Sequence, residues 1–282
     1  MSVAASSRLR TLPKPTPAAI GAAIVLFLAV LALLAPYISP YDSESMDFNA
    51  VLSPPSLAHL FGTDNFGRDV LTRALFGLRV SLIAAIGSVA AAMVVGVPLG
   101  LMAGYRRGFV DAVIMRPVDV IMAFPAIVLV VALAGVFRQS LGLMTLAIGF
   151  VYFPIIVRVM RGAAIEVSDA LFVEGARARG ASHVRIMARH VLPNAITPVL
   201  VQASALMGVA ILMEAAISFI GLGVQPPTPS LGLMLSDGRS YMGDAPWLVI
   251  CPGLGILVAV LGFNLMGDGL PRLLDAANRR RK

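Results

Sequence analysis

The residues of this chain that could do chemistry are few. Glu214 sits in the middle of a long apolar run, in Met213-Glu214-Ala215-Ala216. An ionisable group at membrane depth is costly, so it marks either a function or a well-satisfied bond. Two roles stay open: a packing or gating hydrogen bond between helices, and a step in a proton relay. Arg116 and Asp119 lie one helical turn apart. That spacing suits an i,i+3 ion pair near a membrane face or a pair of groups along a solute pathway. A third cluster is Thr63-Asp64-Asn65-Phe66-Gly67-Arg68-Asp69. Thr63 and Asp64 suit caps for a helix over Val70–Leu78, ahead of the alternative in which they join Gly67, Arg68 and Asp69 in a docking surface.

Much chemistry is excluded. The lysines are Lys14 and Lys282 alone, so the phosphate-cradling G-x-x-x-x-G-K-[ST] loop is absent and this chain supplies no such ATP site. His59, His183 and His190 are not spaced as metal ligands, and the acidic turn at Asp64 lacks the alternating ligands and distal Glu of a calcium loop. A lone Cys251 rules out an intrachain disulfide or a thiolate cluster. No G-x-S-x-G elbow is present, and no Ser/His pair lies in an apolar run. The expectation is a chain with no catalytic residues, no metal and no bound cofactor. Its net charge of +7 does not signal nucleic acid, because the basic residues flank apolar runs.

The elements that must position these groups are membrane spans. The 282 residues are 58% hydrophobic and 13% charged, against about 25% charged in an ordinary soluble domain. Runs such as Ala18–Ile38 and Leu248–Met266 carry no charge, and about 20 apolar residues cross a bilayer as a helix. The pattern predicts an all-α polytopic membrane protein with six transmembrane helices: Ala18–Ile38, Val80–Tyr105, Val118–Val136, Leu141–Val157, Ile196–Gly221 and Trp247–Met266. The first exceeds the apolar core of a signal peptide and reads as a retained anchor. With both termini in the cytoplasm, 17 of the 22 basic residues fall inside, which satisfies the positive-inside rule and an even span count. The expected organisation is a cytoplasmic tail over 1–17, the first span over 18–38 and an extracytoplasmic segment over 39–79. A core of spans two to six follows over 80–267, then a basic cytoplasmic tail over 268–282. Gly96, Gly100 and Gly104 form a stripe along span two that lets another helix approach closely.

Between spans four and five lies a basic insert over 161–193. It reads as two short helices, Ile165 to Arg179 and then to about Val191 before Pro193, meeting at Gly180, which suits a left-handed C′ position. Ser182 suits the cap of the second. Such a pair is either a projecting docking knob or a solvated basic loop.

Here a resemblance enters. Glu174-Gly175-Ala176, then three residues, Gly180, nine residues and His190-Val191-Leu192-Pro193 resemble the EAA loop of ABC-importer permeases, whose pattern is E-A-A, three residues, G, nine residues, I-x-L-P. Gly175 replaces the second residue and His190 the Ile. The ending His190-Val191-Leu192-Pro193-Asn194, the run Gly62-Thr63-Asp64-Asn65-Phe66-Gly67-Arg68-Asp69 and the exit Ser218–Pro227 are similar to the peptide and nickel branch. The likeness covers nearly the whole chain and points to the C-type permease of dipeptide/oligopeptide importers, a type I ABC importer fold in a bacterial inner membrane. It implies a heterodimer with a second homologous permease, two cytoplasmic ABC ATPase subunits that bind ATP and Mg, and an extracytoplasmic solute-binding protein. It also implies that the insert is a cytoplasmic coupling loop, where Glu174, Arg177, Arg185 and Arg189 could meet ATPase charges. The solute is left open among dipeptides, oligopeptides, glutathione, nickel complexes and opines. The competing class, a self-sufficient secondary transporter, predicts more ionisable groups at membrane depth than these spans carry.

Overall fold

The computed structural model describes the backbone of residues 16–136 and 139–279, with side chains through residue 269. Arg8, Arg10, Lys14, Arg138, Arg280, Arg281 and Lys282, which entered the charge count above, lie outside the described residues.

Helix α1, Pro17–Ile38, opens with Thr16 accepting a hydrogen bond from the Ala19 N–H and with proline at its first position, where the missing N–H costs nothing. Helix α2 runs over Val70–Arg106, ten residues longer at its start than the expected span. Helix α5 covers Leu141–Ser168, α8 Leu192–Phe219 and α10 Trp247–Arg279. Each extends beyond its expected apolar span at one end or both, because a helix continues past the hydrocarbon layer as long as its polar turns can be solvated; α8 begins four residues early and stops two short, at Phe219. The segment expected as a basic tail after 267 continues α10 as far as Arg279.

The third span differs from expectation. In place of one helix over Val118–Val136, α3 (Gly108–Met122) and α4 (Ala126–Val136) meet at a bend of 86°. Pro125 is the cause. It disfavours the α conformation of Phe124 before it, and it has no N–H to continue the ladder. Among the described residues, five helices are long and apolar enough to cross a membrane, and the bent pair makes six when counted as one broken span.

Helices α2, α5 and α8 pack on one another, α10 lies against α8, and α1 covers α10. The α2–α5 seam is the most extensive, and the glycine stripe makes it. A Cβ on Gly96 would sit 2.7 Å from Ile156 Cγ2, one on Gly100 2.8 Å from Met160 Cβ, and one on Gly104 2.7 Å from Ala164 Cβ. The partner that the sequence left unnamed is therefore α5.

The two long connections lie at one end of the bundle, called here the loop end. Residues 39–69 form an irregular segment, and the connection after α8 contains the short helix α9, Leu231–Gly238. The insert lies at the other end.

Substitution of Gly100 by Val forces α2 off α5, and overpacking of this kind costs about 1–3 kcal/mol. Gly100→Val is expected to lower the thermal unfolding midpoint of the purified chain in detergent. Gly253→Ala, whose Cβ meets nothing within 4 Å, is expected to leave it in place.

Candidate functional site

The insert departs from its expected two-helix form at both ends. Its first arm is not one helix from Ile165 to Arg179. Helix α5 ends at Ser168, the chain turns at Asp169 and Ala170, and α6 covers Leu171–Ala178. The glycine elbow is present: Gly180 has φ +79°. Its N–H donates to Arg177 O at 2.9 Å and the Ala181 N–H donates to Ala176 O at 3.2 Å, the paired bonds of a Schellman ending. Ser182 Oγ caps the next helix, α7 (His183–Ile186), by accepting from the Arg185 N–H.

The second arm does not stop before Pro193. A wide π turn over Met187–Val191 joins α7 to α8, with the Leu192 N–H donating to Met187 O. Pro193 has no N–H to give back to the preceding turn, and the wider turn carries the helix past it. Asn194 Nδ2 donates to His190 O at 2.7 Å. Residues His183–Phe219 thus form one rod of 37 residues.

The knob is seated on the bundle by its apolar face. Val173, Ala176, Ile186 and Val191 are buried in the main core. Tyr105, at the end of α2, shares a 2.9 Å hydrogen bond with His183 Nδ1 and carries the Arg177 guanidinium 5.2 Å above its ring. Arg177 is thus partly engaged within its own chain. Arg107 donates to both carboxylate oxygens of Asp169 and to Ile165 O, across the turn between α5 and α6. Glu174, Arg185 and Arg189 point outward, and so do Leu171, Phe172 and Val184. Those three exposed apolar side chains, and the seat Tyr105, were missed in the sequence. A tilt in hydrophobicity around so short a helix does not tell which side faces the bundle. Gly175 has open space at its Cβ position, so packing does not require glycine there.

Asp119 does not pair with Arg116. It accepts from Arg158 Nη2 of α5 at 2.7 Å, both side chains being half-exposed. One turn on, Arg161 makes a two-pronged contact with Asp111, at 2.5 and 2.6 Å, the bidentate form that fixes geometry as well as charge. These pairs bridge α3 to α5 over 39 and 50 residues, a reach that the i,i+3 spacing could not reveal.

Glu214 is fully buried at the α2–α8 interface. Ser81 Oγ of α2 donates to it at 2.6 Å, and Ser218 Oγ, one turn along α8, at 2.8 Å. Among the described residues no arginine, lysine or histidine pairs with it. The geometry is that of a packing bond between two helices.

At the loop end, Asp69 and not Thr63 or Asp64 caps α2, accepting from the Thr72 N–H at 2.8 Å. Its other oxygen faces His59 Nδ1 at 3.0 Å. Asp64 is a hub: it accepts from the Phe66 and Arg68 N–H groups and from Arg68 Nε at 2.7 Å, with Arg73 Nε 3.6 Å away. Thr63 Oγ1 donates to Ala50 O and accepts from the Ser53 N–H, while its carbonyl accepts from Trp247 Nε1 at 3.1 Å. Gly67 turns with φ +73° against Asp47, where a Cβ would strike the Asp47 carbonyl. Thr63, Asp64, Arg68 and Asp69 are all buried, so they shape this loop from within.

The bundle, its broken span and its seated insert define a multi-span membrane permease. The chain belongs to the family described as binding-protein-dependent transport system inner membrane component, whose model matches residues 96–280. Residues 9–55 match the N-terminal transmembrane domain of oligopeptide transport permease C. The chain is 40% identical over 266 residues to the dipeptide transport system permease protein DppC of Alkalihalophilus pseudofirmus, covering 94% of this chain and 88% of the relative. It is 41% identical to the probable D,D-dipeptide transport system permease protein DdpC of Escherichia coli, covering 93% and 88%. It is also 41% identical to the glutathione transport system permease protein GsiD of Pectobacterium atrosepticum, covering 89% and 84%. The chain is a permease subunit of an ABC transport system, a class of protein that works with ATPase and solute-binding partners.

Removal of the Asp64 carboxylate leaves two buried guanidinium groups without their anion, which costs about 3–5 kcal/mol for a buried pair. Asp64→Ala is expected to lower the unfolding midpoint and to expose the segment 47–69 to limited proteolysis. Arg158→Ala, breaking a half-exposed pair worth at most about 1 kcal/mol, is expected to change neither.

Proposed function

We propose that this chain forms half of the solute pathway of an ATP-driven peptide importer and is driven through its α6–α7 knob. The observation that carries the reading is the knob itself: a seated inner face, an outer face of Leu171, Phe172 and Val184 ringed by Glu174, Arg185 and Arg189, and a continuous helix into α8. Apolar side chains left exposed among charges on a projection suit a partner's cleft. The names of the relatives, dipeptide and D,D-dipeptide permeases foremost, support a peptide as the solute.

In this reading the chain is the non-catalytic half of a pair with a second homologous permease. Two cytoplasmic ATPase subunits hold ATP and Mg, and each receives a knob in a cleft. Closure of the ATPases pushes the knob, α8 moves with it as a rigid rod, and the pathway alternates between inward- and outward-open. The insert end and both termini are cytoplasmic, as the basic residues there favour. The loop end faces outward, where the segment 39–69, held by Asp64 and Asp69, together with the connection 222–246, receives the solute-binding protein. Glu214 and Ser81 keep α2 registered against α8 through the motion.

Gly180→Pro fixes φ near −65° where the chain needs a positive value, and Glu174→Arg inverts the charge on the outer arm. Each is expected to abolish solute-stimulated ATP turnover in the assembled importer while the chain still inserts and assembles. Full transport by both variants would show that the knob does not couple.

A further inference from the structure

The end of α2 grips both sides of the insert within four residues. Gly104 lies hard against α5, where a Cβ would come 2.5 Å from Arg161 O and 2.7 Å from Ala164 Cβ. Arg107 spans the turn at Asp169. Tyr105, which is buried, reaches the knob. The close approach at Gly104 fixes the backbone from which the Tyr105 ring departs, so the ring is rooted in the α2–α5 seam.

Tyr105 touches both arms of the knob. Its hydroxyl lies 2.9 Å from His183 Nδ1, at the first residue of α7, and its ring meets the imidazole edge-on with centroids 5.8 Å apart. On the other arm, the Arg177 guanidinium in the last turn of α6 stands 5.2 Å from the centre of the same ring. Arg177 and His183 flank the Gly180 elbow. One side chain of α2 therefore bridges the elbow from outside.

We propose, on the reading that the knob couples to the ATPases, that Tyr105 is the positioning residue through which the knob drives α2. The apolar seat does not do this alone. Burial of Val173, Ala176 and Ile186 holds the knob down, but the hydrophobic effect is non-directional, and a knob resting on it is free to slide. A hydrogen bond weakens steeply as its angle opens, and a cation is held over one face of a ring, so these two contacts oppose sliding and tilting. Nor is the imidazole needed to satisfy a buried hydroxyl. His183 is itself exposed, and water at that edge would serve the hydroxyl nearly as well. What His183 adds is a link between two elements that move together. A push on the outer face thus enters α2 at Tyr105 as well as α8 along the rod.

Slippage between the knob and α2 is the signature to measure. In a Cys251→Ala background, spin labels replace Ala188 in the π turn and Met102 on α2, both exposed. Their separation is read in the assembled importer with and without ATP. With Tyr105 and His183 intact, it is expected to stay constant while Ala188 shifts against a label on Leu33 of α1. Tyr105→Phe keeps the ring and loses the hydroxyl; His183→Gln loses the nitrogen at the Nδ1 position. In each, ATP is expected to change the Ala188–Met102 distance by about 2–5 Å, between a helix shift and a one-turn slip. His183→Asn offers a donor or an acceptor where Nδ1 stood, and is expected to restore the constant distance. Because His183 is exposed, its two variants read the bond even where Tyr105→Phe fails to assemble. A constant distance in Tyr105→Phe and His183→Gln, with the knob still moving against Leu33, overturns the clamp and leaves the coupling reading in place. Equal slippage in His183→Asn and His183→Gln, or slippage with both residues intact, also overturns the clamp. A knob that never shifts against Leu33 removes the coupling reading and the clamp with it.

Discussion

The centre of this molecule, α2 with α5 and α8, is registered against α2. A bilayer gives little reward for bringing apolar helices together, since lipid tails are as apolar as leucine, so association rests on close packing and on hydrogen bonds. Helix α2 uses both. Its glycine stripe lets α5 approach until side chains of one helix rest on the backbone of the other. Its Ser81 reaches across to the buried Glu214 of α8. These two contacts add to the direct packing of α5 on α8, the two helices that frame the insert.

The insert is asymmetric, and the motion proposed for it takes its direction from that asymmetry. On the α5 side the chain breaks at Asp169 and Ala170, where the exposed Arg107–Asp169 contact spans a turn. On the α8 side the helix passes through a π turn without interruption. A hinge on one side and a rod on the other make a lever. Tyr105 lies where the lever touches the end of α2, holding His183 by a hydrogen bond and Arg177 by its ring. The ion pairs of Asp111 and Asp119 tie α3 of the broken span to α5, on the hinge side of the insert and not to the rod.

The periodic and local features were legible from the sequence. The five unbroken spans, the Gly180 elbow and the Ser182 cap each depend on residues within a few positions of one another; the elbow and cap stand where they were expected, and the spans lie over the expected runs with different ends. What failed was of two kinds. The run Val118–Val136 was expected as one helix, but Pro125 within it has no N–H to continue the ladder and the span bends there. Asp119 was given its nearest cation in sequence, while its partner Arg158 lies on another helix. The same holds at the loop end, where Asp69 takes the cap expected of Thr63 and Asp64, and the fold gathers Arg68 and Arg73 around Asp64 and His59 against Asp69. Of the insert, the motif residues were identified and their outward or inward facing was not. Arg177 turned toward Tyr105, and Leu171, Phe172 and Val184 turned out.

The central claim is that the knob and α8 are one rigid body. Spin labels on Ala188, exposed in the π turn that carries the knob into α8, and on Val209, exposed on α8, test it in the assembled importer by pulsed electron-electron distance measurement with and without ATP. A constant Ala188–Val209 distance, together with a shift of Ala188 relative to a label on Leu33 of α1, is the result this account predicts. A change in the Ala188–Val209 distance with the far end of α8 unmoved would place a bend at the π turn and contradict it.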